Sequence, residues 1–264
     1  MVHCFNNICY RGKNQVRIAW GITGSGHLLL ETFETMKDIV KLGKHTVSIF
    51  LSKAGEEVAR MYGILSDLRK LANGPLPLRF VRDLEQGASS PTCGKFNLKA
   101  FPVLFVGPAT ANTVAKIKVG IADTLVTNTV AMAVKGGVRV IILPSDYVPG
   151  PITTTLPVTV KTTEKSTCQD AAGKFTCNPC QAVDECPTHA ISIIDGKPFV
   201  DLTKCIGCQR CVKCCKGQIF EFGKKITIRI RQVDAENSRA LEKLEGIKLI
   251  GHPREFEKWL MSQD

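Results

Sequence analysis

Nine of the twelve cysteines lie in one stretch of the chain, between Cys168 and Cys215. Within it, the segment CIGCQRCVKCC spaces four cysteines by two, two and three intervening residues: Cys205, Cys208, Cys211 and Cys215. This spacing lets a loop bring three thiolates to one iron–sulfur cluster while the fourth reaches a neighbouring cluster. The residue types and their order therefore predict two [4Fe-4S] clusters that transfer single electrons.

A second cysteine run, CNPCQAVDECPTHAI, supplies further ligands. Its third position is Val183, and we expect Cys168 to replace the missing ligand because it lies a short loop upstream. The predicted ligands are Cys168, Cys177, Cys180 and Cys215 for cluster one, and Cys205, Cys208, Cys211 and Cys186 for cluster two. Two alternatives stay open. Cys214 could take the place of Cys215, and paired CxxC motifs also hold structural zinc.

A glycine-rich segment, GITGSGH, lies between an apolar run and a helical pattern that extends from about Leu28 to Leu42. Gly24, Ser25 and Gly26 would present backbone N–H groups and a hydroxyl to a phosphate at the helix N-terminus. The alternative is a plain strand-to-helix turn. Ser52, which follows the next apolar run, is predicted as the N-cap of a second helix.

Strand and helix patterns alternate through the first half of the chain. Apolar runs near Thr46–Leu51, Phe101–Val106 and Val138–Leu143 are typical of buried parallel strands, whereas residues 72–100 have no clear pattern. The alternation predicts an α/β fold with a doubly wound, flavodoxin- or Rossmann-like parallel sheet. We expect a tail (1–15), the sheet domain (16–150), a Pro- and Thr-rich linker (151–167), a small α+β ferredoxin-like domain (168–223), and a C-terminal strand and helix that pack on the domains (224–264).

The segment PATANT, residues 108–113, together with TGSG, FLSKAG and DTLVTN, resembles the flavoprotein family that includes FMN-dependent cysteine decarboxylases. The resemblance covers residues 16–146 and implies an FMN site with Asn112 near the flavin, while no side chain is predicted to be catalytic. The implied cofactor-binding residues are Thr23, Gly24, Ser25, Gly26, Ser52, Ala109, Thr110, Asn112, Thr113, Thr127 and Asn128. Because no histidine lies between His45 and His189, decarboxylation by that family's route is not expected.

A flavin domain followed by a two-cluster module resembles the archaeal iron–sulfur flavoproteins related to dihydromethanopterin reductase (acceptor). This resemblance implies reduction of dihydromethanopterin, reduced ferredoxin as the donor, and a homo-oligomer. FMN would convert single electrons into a two-electron reduction. The rival interpretation is a non-enzymatic electron carrier or redox sensor, and a third is a decarboxylase with an added cluster. The strand GKKITIRIR, with Lys224, Lys225, Arg229 and Arg231, could steer an acidic ferredoxin.

Composition restricts the remaining possibilities. The formal charge of +11 would fall to about +5 with two oxidised clusters and an FMN phosphate, and aromatic residues make up only 6% of the chain. We therefore expect no nucleic-acid partner. No apolar run is long enough for a membrane span, and the first residues do not resemble a signal peptide, so a cytoplasmic protein without membrane contact is expected. The isolated Cys93 is predicted to be a packed bystander.

Overall fold

The computed structural model describes residues 3–5, 8–10, 15–87, 89–163 and 179–263, with backbone only for the first two segments. The described residues form two compact units. The first comprises residues 1–152 and 229–264, and the second comprises residues 153–228. None of the helices in the described part of the chain is long and apolar enough to span a membrane.

The strands, in chain order, are β1 (His3–Phe5), β2 (Ile8–Tyr10), β3 (Arg17–Ile22), β4 (Thr46–Leu51), β5 (Phe80–Arg82), β6 (Val103–Ala109), β7 (Arg139–Pro144), β8 (Gly150–Thr162), β9 (Ile191–Ile194), β10 (Lys197–Val200), β11 (Phe220–Ile230) and β12 (Ile247–Leu249). The α-helices are α1 (Leu29–Lys41), α2 (Lys53–Met61), α3 (Leu65–Leu71), α4 (Ala111–Val119), α5 (Leu125–Lys135), α6 (Gln181–Asp184), α7 (Arg210–Cys214), α8 (Gln232–Leu241) and α9 (Pro253–Met261). Two short 3-10 helices cover Asp83–Glu85 and Pro91–Phe96.

The first unit is built on a parallel sheet of six strands in the order β12-β7-β6-β3-β4-β5. The first strand of this sheet along the chain, β3, lies between β4 and β6, so the chain winds outward in one direction and then in the other. This is the doubly wound order in which ligands bind where the direction reverses, at the carboxyl ends of the strands. The predicted α/β fold class is confirmed.

Two hydrophobic cores cover the two faces of this sheet. Ile18, Trp20 and Ile22 of β3 enter one core, whereas Ala19 enters the other. Neighbouring residues of a strand point to opposite faces, so a strand that is covered on both sides must be apolar throughout. This arrangement explains the continuous apolar runs of the sequence, and Val103–Ala109 is buried at every position.

The helices beside the sheet follow from local sequence signals. In α1, buried Leu29, Phe33, Met36 and Ile39 recur at the spacing of one helix face. The predicted N-cap of α2 is present, because the Ser52 hydroxyl accepts a hydrogen bond from the backbone N–H of Gly55 at 3.0 Å. The apolar face packs α1 on the sheet, and the Ser52 cap starts α2 at the carboxyl edge of the sheet.

The second unit contains two small sheets, β8 with β11 and β9 with β10, together with α6 and α7. Of the Pro- and Thr-rich segment expected as a linker, residues 151–162 belong to β8 (Gly150–Thr162), and residues 164–167 lie outside the described part of the chain. The Thr159 hydroxyl accepts the backbone N–H of Lys224 at 2.8 Å, which ties β8 to β11. A run rich in Thr, Val and Ile suits a strand when a partner is present.

Candidate functional site

The carboxyl ends of β3 and β6 meet where the winding direction of the sheet reverses. Thr23 follows β3, and its hydroxyl donates to the carbonyl of Pro108 at 2.7 Å while accepting the backbone N–H of Thr110 at 2.9 Å. The indole N–H of Trp20 donates to the carbonyl of Gly107 at 2.6 Å. The predicted glycine loop and the PATANT segment are therefore joined directly at the position where this fold binds ligands.

The glycine loop packs closely on α2. A Cβ at Gly24 would lie 2.7 Å from the Cβ of Ala54, and a Cβ at Gly26 would overlap the Tyr62 hydroxyl. The loop ends at Leu28, which has a φ of 62° and gives the N-terminus of α1 no side-chain cap. The glycines thus have a packing role, and the start of α1 offers backbone N–H groups that suit a phosphate.

The polar side chains of the PATANT segment organise the start of α4. Thr110 is the N-cap of α4, accepts the backbone N–H of Thr113 at 3.1 Å, and lies 3.0 Å from the Thr113 hydroxyl. Ala109 is fully buried at the end of β6, and Asn112 is exposed on the first turn of α4. Of the predicted contacts in this segment, Asn112 is the most accessible polar side chain.

The two residues predicted on α5 are engaged within their own helix start. Thr127 forms a capping box with Thr124, and the amide of Asn128 donates to the carbonyls of Ala122 at 2.9 Å and Thr124 at 3.0 Å. Their hydrogen bonds stabilise the loop before α5, and their contact with a flavin stays a prediction.

Two polar residues of this edge were absent from the sequence-based site. Asp83 follows β5, and its carboxylate accepts backbone N–H groups from Leu125 at 3.2 Å and Lys53 at 3.5 Å, the first residues of α5 and α2. The hydroxyl of buried Ser145, after β7, donates to the carbonyl of Ala109 at 2.9 Å. Ser145 could have been found because it follows a buried strand, whereas Asp83 lies in the region without a clear pattern.

A buried carboxylate joins α2 to the end of β5. The Glu56 side chain is only 3% exposed and pairs with the Arg82 guanidinium at 2.6 and 2.9 Å. Arg60 adds a third bond at 2.8 Å. The hydrogen bonds from Arg82 lower the pKa of Glu56, in spite of burial. The ion pair fixes α2, whose N-terminus carries Ser52, against the edge of the sheet.

In the second unit, the four cysteines predicted for cluster two line one small cavity, which we call the cysteine cavity. Its lining includes Cys186, Cys205, Cys208 and Cys211, together with Val160, Thr188, Ala190, Ile191, Ile206, Gln209 and Arg210. The structure thus brings residues of the two cysteine runs together around one space. Their role as cluster ligands stays a prediction.

The electrostatics of the cysteine cavity differ from one sulfur to the next. Burial opposes ionisation of Cys186, but backbone N–H groups of Thr188, Ala190 and Ile191 outweigh it and lower its pKa. The N–H of Ala190 lies 3.2 Å from the Cys186 sulfur. For Cys211, burial raises the pKa to about 12. A coordinating metal deprotonates such a thiol outright, and N–H···S bonds are one means of setting a cluster potential.

The ligands predicted for cluster one are described in part. Cys180 and Cys215 are half-buried in the hydrophobic cluster of the second unit, and so is Cys214. Burial raises the pKa of Cys214, and the nearby Cys215 and Cys180 add to the rise. Cys168 and Cys177 lie outside the described residues. The choice between Cys214 and Cys215 stays open.

Two further observations concern the cysteines. Among the described residues, no group of three or more His, Cys, Asp or Glu side chains is arranged to hold a metal ion. In a [4Fe-4S] cluster each thiolate binds its own iron, so cluster ligands need not converge on a single point. Cys93 is buried 3.4 Å from the Thr129 hydroxyl in the first unit, as a packed thiol would be.

Comparison with known proteins extends these findings. The sequence model of the family described as Flavoprotein matches residues 7–190. A protein named dihydromethanopterin reductase (acceptor) from Methanosarcina mazei is 38% identical over 239 residues, which cover 90% of this chain and 95% of the relative. A protein of the same name from Methanocaldococcus jannaschii is 40% identical over 248 residues, with 94% and 96% covered. The structure of Burkholderia xenovorans DmrB with FMN has the same fold, with a TM-score of 0.58, 24% identity, and 96% and 97% of the two chains covered.

Proposed function

This chain belongs to the flavoprotein family, and we propose that it is an iron–sulfur flavoprotein that reduces dihydromethanopterin to tetrahydromethanopterin with electrons from reduced ferredoxin. The observation that carries the proposal is the presence, in one chain, of a glycine loop joined to the PATANT segment at the reversal point of the sheet and a cavity lined by four cysteines. The substrate is proposed from the two reductases that align with nearly the whole chain.

The first unit would hold FMN at the reversal point. Backbone N–H groups of the loop from Thr23 to Gly26 and of the uncapped start of α1 suit the FMN phosphate. Ser52 and the start of α4 flank that loop. The exposed Asn112 amide would lie beside the flavin, as the family resemblance implies.

The second unit would hold the clusters. We propose Cys186, Cys205, Cys208 and Cys211 for cluster two, and Cys168, Cys177, Cys180 and Cys215 for cluster one. The lining of the cysteine cavity and the N–H···S bond from Ala190 support the first set. When bound, the clusters would relay single electrons and FMN would combine two of them for the pterin.

The electron balance requires both kinds of site. Reduction of the pterin C=N bond consumes two electrons and two protons, whereas reduced ferredoxin supplies one electron at a time. The chain's role would be to bind the pterin over the flavin at the carboxyl edge of the sheet and to exclude water from the reacting atoms there. The apolar ends of β3 and β6 suit that role.

We further propose a cytoplasmic homo-oligomer. The B. xenovorans protein is described as a cubic protein cage for redox transfer, which supports assembly of several copies.

The test is anaerobic purification followed by cofactor analysis and turnover. We expect one FMN and about eight irons per chain, and oxidation of reduced ferredoxin coupled to loss of dihydromethanopterin in a ratio of about two to one. Cys208→Ser should lose about half of the iron, whereas the matched substitution Cys93→Ser should retain all of it. Zinc in place of iron would refute the cluster assignment. A flavin that is reduced without consumption of the pterin would favour the electron-carrier interpretation.

A further inference from the structure

The cysteine loop of the second unit carries a uniform positive charge. Between residues 202 and 220 there is no Asp or Glu, but there are four cations, Lys204, Arg210, Lys213 and Lys216. All four are exposed. Lys204 lies 3.5 Å from the Asp201 carboxylate, at the beginning of the loop. The excess charge is therefore concentrated in the part of the loop that includes α7.

The same loop exposes an apolar side chain and a predicted cluster ligand. Ile206 is 56% exposed, and Cys208 is the exposed member of the four cysteines that line the cavity. Cys186 and Cys211, by contrast, are buried. Ile206 and Cys208 therefore belong to the part of the cavity lining that is exposed to solvent.

The cations lie next to this exposed side. Arg210 lines the cysteine cavity together with Ile206 and Cys208. Lys213 follows Arg210 by three residues on α7, so the two side chains project from the same face of the helix. The result is a small apolar surface with adjacent positive charge.

We propose that this surface, formed by Ile206, Cys208, Arg210 and Lys213 and called here the docking face, binds an acidic protein that carries one electron. The inference rests on the proposed function, since it assumes that the cysteine cavity holds a cluster. At each encounter the reduced carrier loses one electron and the second unit gains it, so two encounters supply one pterin reduction. An apolar centre with complementary charge around it suits brief, steered association.

The strand β11, on which Lys224, Lys225 and Arg229 are exposed, is the alternative binding surface for an acidic partner. The Arg231 guanidinium that follows it is paired with the Asp234 carboxylate at 2.6 and 2.8 Å. On its partner strand β8, Lys161 is paired with Glu221 of β11 at 2.5 Å. Lys224 and Lys225 remain exposed on β11, so this pair provides a control with the same loss of charge.

The experiment measures binding of an oxidised, acidic ferredoxin with a single cluster, which carries one electron when reduced, by titration calorimetry. It compares the wild type with Arg210→Ser/Lys213→Ser and with Lys224→Ser/Lys225→Ser, at about 0.03 M and about 0.5 M salt. At low salt we expect the docking-face variant to bind about tenfold more weakly and to be reduced about tenfold more slowly by the reduced ferredoxin. At high salt the difference should disappear. Reduction by dithionite should not change.

A charge-conserving variant separates docking from folding. Arg210→Lys/Lys213→Arg should restore wild-type affinity, whereas loss of affinity in this variant would overturn the inference. Equal weakening in the Lys224→Ser/Lys225→Ser control, or unchanged affinity in the docking-face variant, would also overturn it. Because calorimetry reports on association and iron analysis on the clusters, a failure of docking is distinguishable from a failure of the proposed function.

Discussion

Thr23 is the residue whose hydroxyl joins the glycine loop to the PATANT segment, and Thr23→Val removes that hydroxyl at nearly constant volume. The side chain is buried, and the substitution leaves the Pro108 carbonyl and the Thr110 N–H without their partner. An unpaired buried backbone group costs about 1–3 kcal/mol. Pro108 is buried, whereas Thr110 is half-exposed and can regain water. We therefore expect the free energy of unfolding to fall by about 2–3 kcal/mol.

The measurement is urea unfolding of the FMN-free protein, followed by tryptophan fluorescence. Both tryptophans, Trp20 and Trp259, lie in the first unit, so the signal reports on that unit. FMN affinity, measured by flavin fluorescence, should weaken about tenfold because the loop and the start of α4 are no longer held together.

Thr32→Val is the matched control for Thr23→Val. Thr32 is also fully buried, but its hydroxyl donates to the Leu28 carbonyl at 2.6 Å, which also accepts the Thr32 backbone N–H. The carbonyl stays bonded after the substitution, so we expect a loss of at most about 1 kcal/mol and unchanged FMN affinity. If the two variants lose the same stability and bind FMN alike, the bridging role of Thr23 is refuted.

Two further predictions concern the packing of α2. Glu56→Gln should lower the free energy of unfolding by about 1–3 kcal/mol, because a neutral amide replaces the buried charged partner of the Arg82 guanidinium, which keeps its ion pair with Glu85. The folded-state pKa of Glu56 is lowered, so ionised Glu56 contributes its full stabilisation above about pH 4.3, and this stabilisation is lost as the pH falls through the folded-state pKa. The free energy of unfolding of the Glu56→Gln variant should therefore lack this decrease at low pH. Gly26→Ala should weaken FMN binding because the new Cβ overlaps the Tyr62 hydroxyl, and Tyr62→Phe should partly restore it. Gly94→Ala, where a Cβ meets no neighbour within 4 Å, should leave FMN binding unchanged in the same titration.

Much of the first unit could be predicted because its signals are local. A strand buried on both faces needs a continuous apolar run, and the runs at β4, β6 and β7 were recognisable for that reason. Ser52 was recognisable as an N-cap because a hydroxyl before a helix has one common use. In these cases the residues that form the sequence pattern are the same residues that are buried in the strand or cap the helix.

The rest depended on partners that are distant in sequence. β5 has only three residues and pairs with β4 across a gap of nearly thirty residues, so its own composition carries little information. Asp83 matters because two helices begin beside it, and neither helix is adjacent to it in sequence. Likewise, the Pro- and Thr-rich segment becomes β8 only because β11 lies alongside it. No local pattern specifies such pairings.

The cysteines show where spacing stops being informative. The two-residue gaps restrict Cys205, Cys208 and Cys211 to one loop, and any fold of that loop keeps them close. Cys186 comes from the other run, and its place beside them depends on how β9, β10 and α7 pack around the cavity. Cys214 and Cys215 differ by only one residue in their distance along the chain from Cys211, so spacing does not choose between them. Because Cys214 ends α7 and Cys215 lies just beyond it, the deciding factor is the direction in which the chain leaves that helix.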